Sequence, residues 1–196
     1  MSRPDSRAPR QPRQVFLFSG HLIDAPDRAS PRFPAAREGI AAQAIAEALD
    51  QMHAGPDDLA LTQGACGGDL LFTEACLARG VTVEWLQPFV EAEFIENSVR
   101  RCNSDWESRY HAAHAHLANP PRATPAEHSL ATDDPYERCN LWLLDSTLAH
   151  GADKARFICL WNGSAGDGLG GTAHMVAEMR QRGGQVVWLD TRQLFA

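Results

Sequence analysis

A three-layer α/β sandwich, with helices covering both faces of a mainly parallel sheet of about five core strands, is the fold class the sequence predicts. Two observations carry it. Short apolar runs alternate with longer runs of helical spacing, the pattern of parallel strands joined by crossover helices. Two of the strand-to-helix junctions are also rich in glycine: "QGACGGD" (63–69) and "WNGSAGDGLGGTAHM" (161–175), the second with five glycines among fifteen residues. The strands read in order as "VFLF" (15–18), "LALT" (59–62), "VTVEWL" (81–86), "RFICLW" (156–161) and "QVVWL" (185–189). After the first, "AAREGIAAQAIAEALDQMH" places Ile40, Ala44, Ile45 and Leu49 at helical spacing. After the second, "DLLFTEACLARG" does so with Leu70, Phe72, Cys76 and Leu77 and stops at Gly80.

About seventy residues separate the third strand from the fourth, so a helical insertion is expected over about 90–150. Within it "EAEFIENSVRRCNSDWESRYHAAHAHLA" reads as one long helix and "NPPRATPAEHSLATDD" as a Pro-rich loop. The segment "PYERCNLWLLDSTLAH" reads as a second helix opened by Pro135, a favoured first-turn residue. The loop, 118–134, is either a lid or a plain surface excursion. Residues 1–14, with four Arg and three Pro, read as a disordered basic tail, and 15–196 as a single domain.

Composition narrows the function. A formal charge of −7 argues against general affinity for nucleic acid backbones. No run approaches the roughly 20 apolar residues of a membrane span, and the start lacks the apolar centre of a secretory signal, so a cytoplasmic protein is expected. Five cysteines, Cys66, Cys76, Cys102, Cys139 and Cys159, form no CxxC pair and read as reduced thiols. His111 and His114 share a helical face, yet no further ligand at metal spacing follows, so no metal and no cofactor is expected.

Ligands of such sheets sit beyond the carboxyl ends of the strands, where strand order reverses. Three loops reach that edge: "SGHLIDAPDR" after the first strand and the two glycine-rich junctions. Glycines let backbone N–H groups approach an anion, and the helix that follows adds donors with a partial positive charge. Candidate ligand-binding residues are therefore Ser19, Gly20 and His21, then Gly64, Gly67, Gly68 and Asp69, then Asn162, Gly163, Gly170, Gly171, Thr172 and His174. Thr172 reads equally as a helix cap, Asp69 as a first-turn acid complementing the helix dipole, and Asp24 as the stabiliser of a turn. Trp106, Arg109 and Tyr110 read either as a lid that stacks on a base or as core. Familiar alternatives fail by spelling. The single lysine, Lys154, lies outside any GxxxxGK[ST] loop, no GxGxxG follows the first strand, and no GxSxG elbow is present.

The order "VFLFSG", "TQGACGGDLLFTEACLARGVTVEWLQP", "PYERCN", "FICLWNGSAGDGLGGTAHMVAEM" resembles the SLOG superfamily of Rossmann-like proteins, which includes the LOG (lysine decarboxylase-like) phosphoribohydrolases and the DprA-like proteins. The resemblance covers nearly everything after residue 14 apart from the insertion. It implies a Rossmann-like fold and nucleotide binding, with dimers common among such proteins. In LOG enzymes a PGGxGTxxE loop binds a nucleoside monophosphate and an Arg before the preceding strand assists cleavage of the base. Here Gly170, Gly171 and Thr172 match "GGT", and the "ER" of "PYERCN" nominates Arg138. Met175 stands at the position of the family's catalytic Glu and cannot accept a proton; Glu178 lies one turn further along.

Two nucleotide readings follow, beside a third in which a structural or interaction protein retains the fold with an empty site. The first is a binding protein for a small nucleotide, a nucleoside phosphate or a ligand derived from NAD or ADP-ribose, held without turnover. The second is an N-glycosidic hydrolase or transferase acting on a nucleoside monophosphate, with Arg138 and one of Glu178, Asp24 or Glu74 as catalytic residues.

Overall fold

The computed structural model describes residues 11–25, 28–102, 104–125, 133–164 and 171–196. At its centre is a six-stranded sheet whose paired strands all run parallel, in the order β4-β3-β2-β1-β5-β6. The strands are β1 (Val15–Gly20), β2 (Leu59–Thr62), β3 (Thr82–Gln87), β4 (Arg122–Ala123), β5 (Ala155–Trp161) and β6 (Gln185–Asp190). The helices are α1 (Glu38–Gln51), α2 (Gly68–Leu77), α3 (Glu91–Ser98), α4 (Trp106–His114), α5 (Pro135–Leu148), α6 (Thr172–Gln181) and the short α7 (Thr191–Leu194).

Strand alternation divides the core in two. Phe16, Phe18, Ala60, Val83, Trp85, Ile158 and Leu160 point to the side covered by α1, α2, α3 and α4, with Ile45, Leu49, Phe72, Phe94 and Tyr110 packed on them. Val15, Leu17, Leu61, Leu86, Phe157 and Cys159 point to the other side, beneath Leu143 and Leu144 of α5 and Met175 and Met179 of α6. Both faces of the central strands are thus apolar and covered, which is why these strands read as near-continuous hydrophobic runs.

Three expectations need correction. A sixth strand, β4, sits at the sheet edge inside the segment read as a Pro-rich loop; Leu86 and Gln87 pair with Arg122 and Ala123. Two residues with exposed side chains carry no alternation to read. The stretch read as one long helix divides into α3, a 3-10 turn at Arg100–Cys102, and α4. Ser104 adopts φ of 67°, which no continuous helix accommodates. Arg100 then bridges the break by pairing with Glu96 of α3 (2.8 Å) and Glu107 of α4 (2.7 Å). Finally, Cys66 and Cys102 form a disulfide, with Cα atoms 6.3 Å apart, while Cys76, Cys139 and Cys159 are free and buried. An odd count without CxxC says nothing about a partner 36 residues away.

Part of the stretch read as a tail is packed. Arg13 pairs with the buried Asp58 at 2.6 Å and donates to the His53 carbonyl, and Gln14 donates to the Met52 carbonyl. Residues 1–10 lie outside the described residues, as do 126–132 of the 118–134 loop. Among the described residues, no helix is long and apolar enough to cross a membrane.

Candidate functional site

The chain steps outward from β1 through β2 and β3 to β4, then returns to lay β5 against the other side of β1. Loops leaving β1 and β5 therefore diverge and open a crevice. The register sets Ser19 beside Cys159 and Gly20 beside Leu160 at its floor. A cavity of about 360 Å³ lies there. Among the described residues its lining comes from six segments: Phe18 to Leu22, Arg32, the β2–α2 junction (Gln63, Ala65, Asp69), the end of α3 and the turn after it (Ser98, Arg101), the start of α5 (Asp134, Tyr136, Glu137, Asn140), and the start of α6 (Gly171, Thr172).

Six of the residues singled out from the sequence meet here: Ser19, Gly20, His21, Asp69, Gly171 and Thr172. The Ser19 and Thr172 hydroxyls lie 3.5 Å apart across the β1/β5 crossing. The N-cap of α6 is Gly171, which has no side chain to cap the helix, so the first N–H groups of α6 are candidates to meet an acceptor in the cavity. His21 ties three segments together. Its N–H donates to the Leu160 carbonyl, its carbonyl accepts from Gly68 N–H at 3.1 Å, and its Nε2 accepts from Asn162 N–H at 3.1 Å.

Other candidates stand behind or beside the cavity. Gly64 packs against Trp85, Gly67 against the backbone of residues 21–23, and Gly163 beneath Trp188 and Arg192. The Asp24 carboxylate accepts from the N–H groups of Arg32 and Phe33 at 2.7 and 2.6 Å and pairs with Arg28 at 3.3 Å, organising the β1–α1 loop rather than facing the cavity. His174 and Glu178 lie 3.9 Å apart on α6 outside the lining, with Glu178 also paired to Arg182 at 3.2 Å. Arg138 is half-buried and outside the lining. Gly170 lies outside the described residues.

Met175, at the position of the expected glutamate, is fully buried in the core beneath α5 and α6. Trp106 and Tyr110 are core, and Arg109 stacks on Trp106 while pairing with Glu38 and Glu74 at 2.7 Å each, which takes up Glu74 as well. His111 faces Glu107 and His114 faces Glu91. Among the described residues, no three His, Cys, Asp or Glu side chains gather as a metal site.

The electrostatics centre on Asp69 and His21. Burial pushes the Asp69 carboxyl up to about 7, against hydrogen bonds led by Ala65 N–H. Burial, reinforced by the positive charge of Arg32, holds the His21 imidazole down at about 4. His21 is therefore neutral near pH 7, and with Nε2 accepting, its proton sits on Nδ1. Asp69 divides its population between acid and carboxylate at the same pH. It can accept from sugar hydroxyls, or donate, without imposing a full charge on a neighbouring anion.

Arg32 and Arg101 were not found from the sequence. Neither makes an ion pair with a carboxylate among the described residues, and Arg32 Nε is buried without a hydrogen-bond partner. The start of α5 reaches the cavity through residues other than Arg138. Helical phase turns Tyr136, Glu137 and Asn140 to the cavity, with Ser98 and Tyr136 hydroxyls 3.0 Å apart and Gln63 donating to Asn140 at 2.7 Å. The apolar stripe Cys139, Leu143 already fixed that phase, and reading it would have set Arg138 aside.

No protein-family model matches the chain, and no curated protein matches it.

Proposed function

We propose that the chain binds a small nucleotide at the β1/β5 crossing, a nucleoside phosphate or a ligand derived from one such as ADP-ribose. In this reading the phosphate sits at the start of α6, near the Ser19 and Thr172 hydroxyls, with Arg32 supplying charge. Sugar hydroxyls meet Asp69. One observation carries the reading: the start of α6, whose N-cap Gly171 has no side chain to cap it, and Arg32, which pairs with no carboxylate among the described residues, line the same cavity of about 360 Å³, at the point where doubly wound sheets hold their ligands.

A second reading, cleavage of the N-glycosidic bond, draws support from Asp69 alone. A buried carboxyl titrating near 7 is suited to passing a proton to a departing base while water adds to the ribosyl carbon. Arg138, Glu178 and Asp24 are not among the residues that line the cavity.

The test is to incubate the protein with AMP, GMP, CMP, NAD and ADP-ribose and to measure thermal stabilisation and liberated base together. Stabilisation without base release is expected, and Arg32→Ala is expected to weaken binding by about tenfold or more, the cost of a lost charge-assisted contact. Base release would establish the second reading. No stabilisation by any compound would end the nucleotide proposal.

A further inference from the structure

We infer that the ligand carries a second phosphoryl group, and that a groove across Arg32 from the main cavity receives it. The inference rests on the nucleotide reading of the main site and narrows its ligand to nucleoside 5′-diphosphates and their esters. The groove has a volume of about 310 Å³, and Arg32, Arg37, Asn162, Thr191, Arg192 and Ala196 are among its walls. Arg32 borders both spaces. Beside it, His21 lines the main cavity and Asn162 lines the groove, and Asn162 N–H donates to His21 Nε2 at 3.1 Å.

Charge distribution singles the groove out. The chain is acidic overall, and Arg13, Arg28, Arg79, Arg100, Arg109, Arg122, Arg182 and Arg192 all spend their charge on carboxylates. Arg32, Arg37, Arg101, Arg138, Arg156 and Arg180 do not, among the described residues, and of these Arg32 and Arg37 line this groove together. Arg192 pairs with Asp190 at 2.8 Å, so it adds donors here more than net charge. A guanidinium carries two terminal NH2 groups, so a single Arg in the partition can meet oxygens of two successive phosphoryl groups. A monophosphate fills the main cavity and leaves Arg37 idle; a diphosphate engages both.

The test is calorimetric titration of the full chain with paired probes: AMP and ADP, GMP and GDP, CMP and CDP. The expected result is a diphosphate bound at least about tenfold more tightly than its monophosphate, a ratio that falls toward one in Arg37→Ala and stays intermediate in Arg37→Lys, which keeps the charge and loses the fork. A wild-type ratio near one, or a ratio that survives Arg37→Ala, overturns the second subsite while leaving the nucleotide site standing. Failure of every monophosphate and diphosphate to bind overturns the nucleotide site itself, and this inference with it. Matching thermal unfolding of the two variants and the wild type guards against reading a folding defect as lost affinity.

Discussion

Gly67 carries the strictest single-residue constraint at the site. It is the N-cap of α2, with φ of 93° and ψ of −128°, a conformation that side chains oppose. A Cβ there would lie 2.7 Å from Ile23 N and 3.0 Å from His21 O, both backbone atoms that cannot swing aside. The glycine thus serves by letting the β1–α1 and β2–α2 loops close on each other, which places His21 and Asp69 on one cavity. Gly67→Ala is expected to lower unfolding free energy by about 2 kcal/mol or more and to weaken ligand binding. Gly39 in the first turn of α1 is the control, because a Cβ there meets nothing within 4 Å; Gly39→Ala is expected to be neutral or to stabilise by up to about 1 kcal/mol. Equal effects from the two substitutions in urea unfolding would show that the close approach at Gly67 is not restrictive. Sequence alone marked Gly67 because glycine clusters are visible as letters. The two loops that press on it are distant in sequence, and no local pattern reports their approach.

At the scale of elements, the wall formed by α3 and its 3-10 turn is the part of the site least legible beforehand. It supplies Ser98 and Arg101, and it is fastened at two points to the β2–α2 junction: Cys66 N–H donates to the Ser98 carbonyl at 2.9 Å, and Cys66 is disulfide-bonded to Cys102. Closing a loop of 36 residues limits the unfolded chain by roughly 4 kcal/mol on a chain-entropy account. Cys102→Ser, or reduction followed by alkylation, is therefore expected to lower stability by about 2–4 kcal/mol and to loosen Arg101 at the cavity. Mass analysis after alkylation without reductant should leave Cys66 and Cys102 unlabelled; labelling of both under oxidising conditions would refute the pairing. Helical periodicity predicted one helix through this region because Ile95, Val99, Trp106 and Tyr110 keep apolar spacing across the break. The break lies at the 3-10 turn and at Ser104, with φ of 67°, and apolar spacing reports neither. The parallel strands flanked by glycine-rich loops were legible for the opposite reason, since their signals are local and repeat at each junction.

For the molecule as a whole, the two buried titrating groups of the site oppose each other in the balance of stability with pH. Asp69 titrates at about 7 when folded and near 3.9 when unfolded, so its contribution is fully present below pH 4 and is lost as pH rises through 7. His21 titrates at about 4 when folded and near 6.5 when unfolded, so its contribution is fully present above pH 6.5 and is lost as pH falls through 4. Between pH 4 and 6.5 the slopes have opposite signs, and the two displacements are similar in size, each on the order of 3–4 kcal/mol. The wild-type pair therefore contributes an almost level profile over that window. Asp69→Asn removes one side of the balance, leaving His21 to act alone. Relative to wild type, the variant is expected to lose stability as pH falls from 7 to 4, by a difference on the order of 3 kcal/mol, measured by urea unfolding at each pH. Working with the difference between the two proteins cancels the remaining carboxylates, which titrate alike in both. Parallel profiles would show that Asp69 is ionised in the folded protein throughout, and the site would then hold a fixed negative charge where an anionic ligand is proposed to lie.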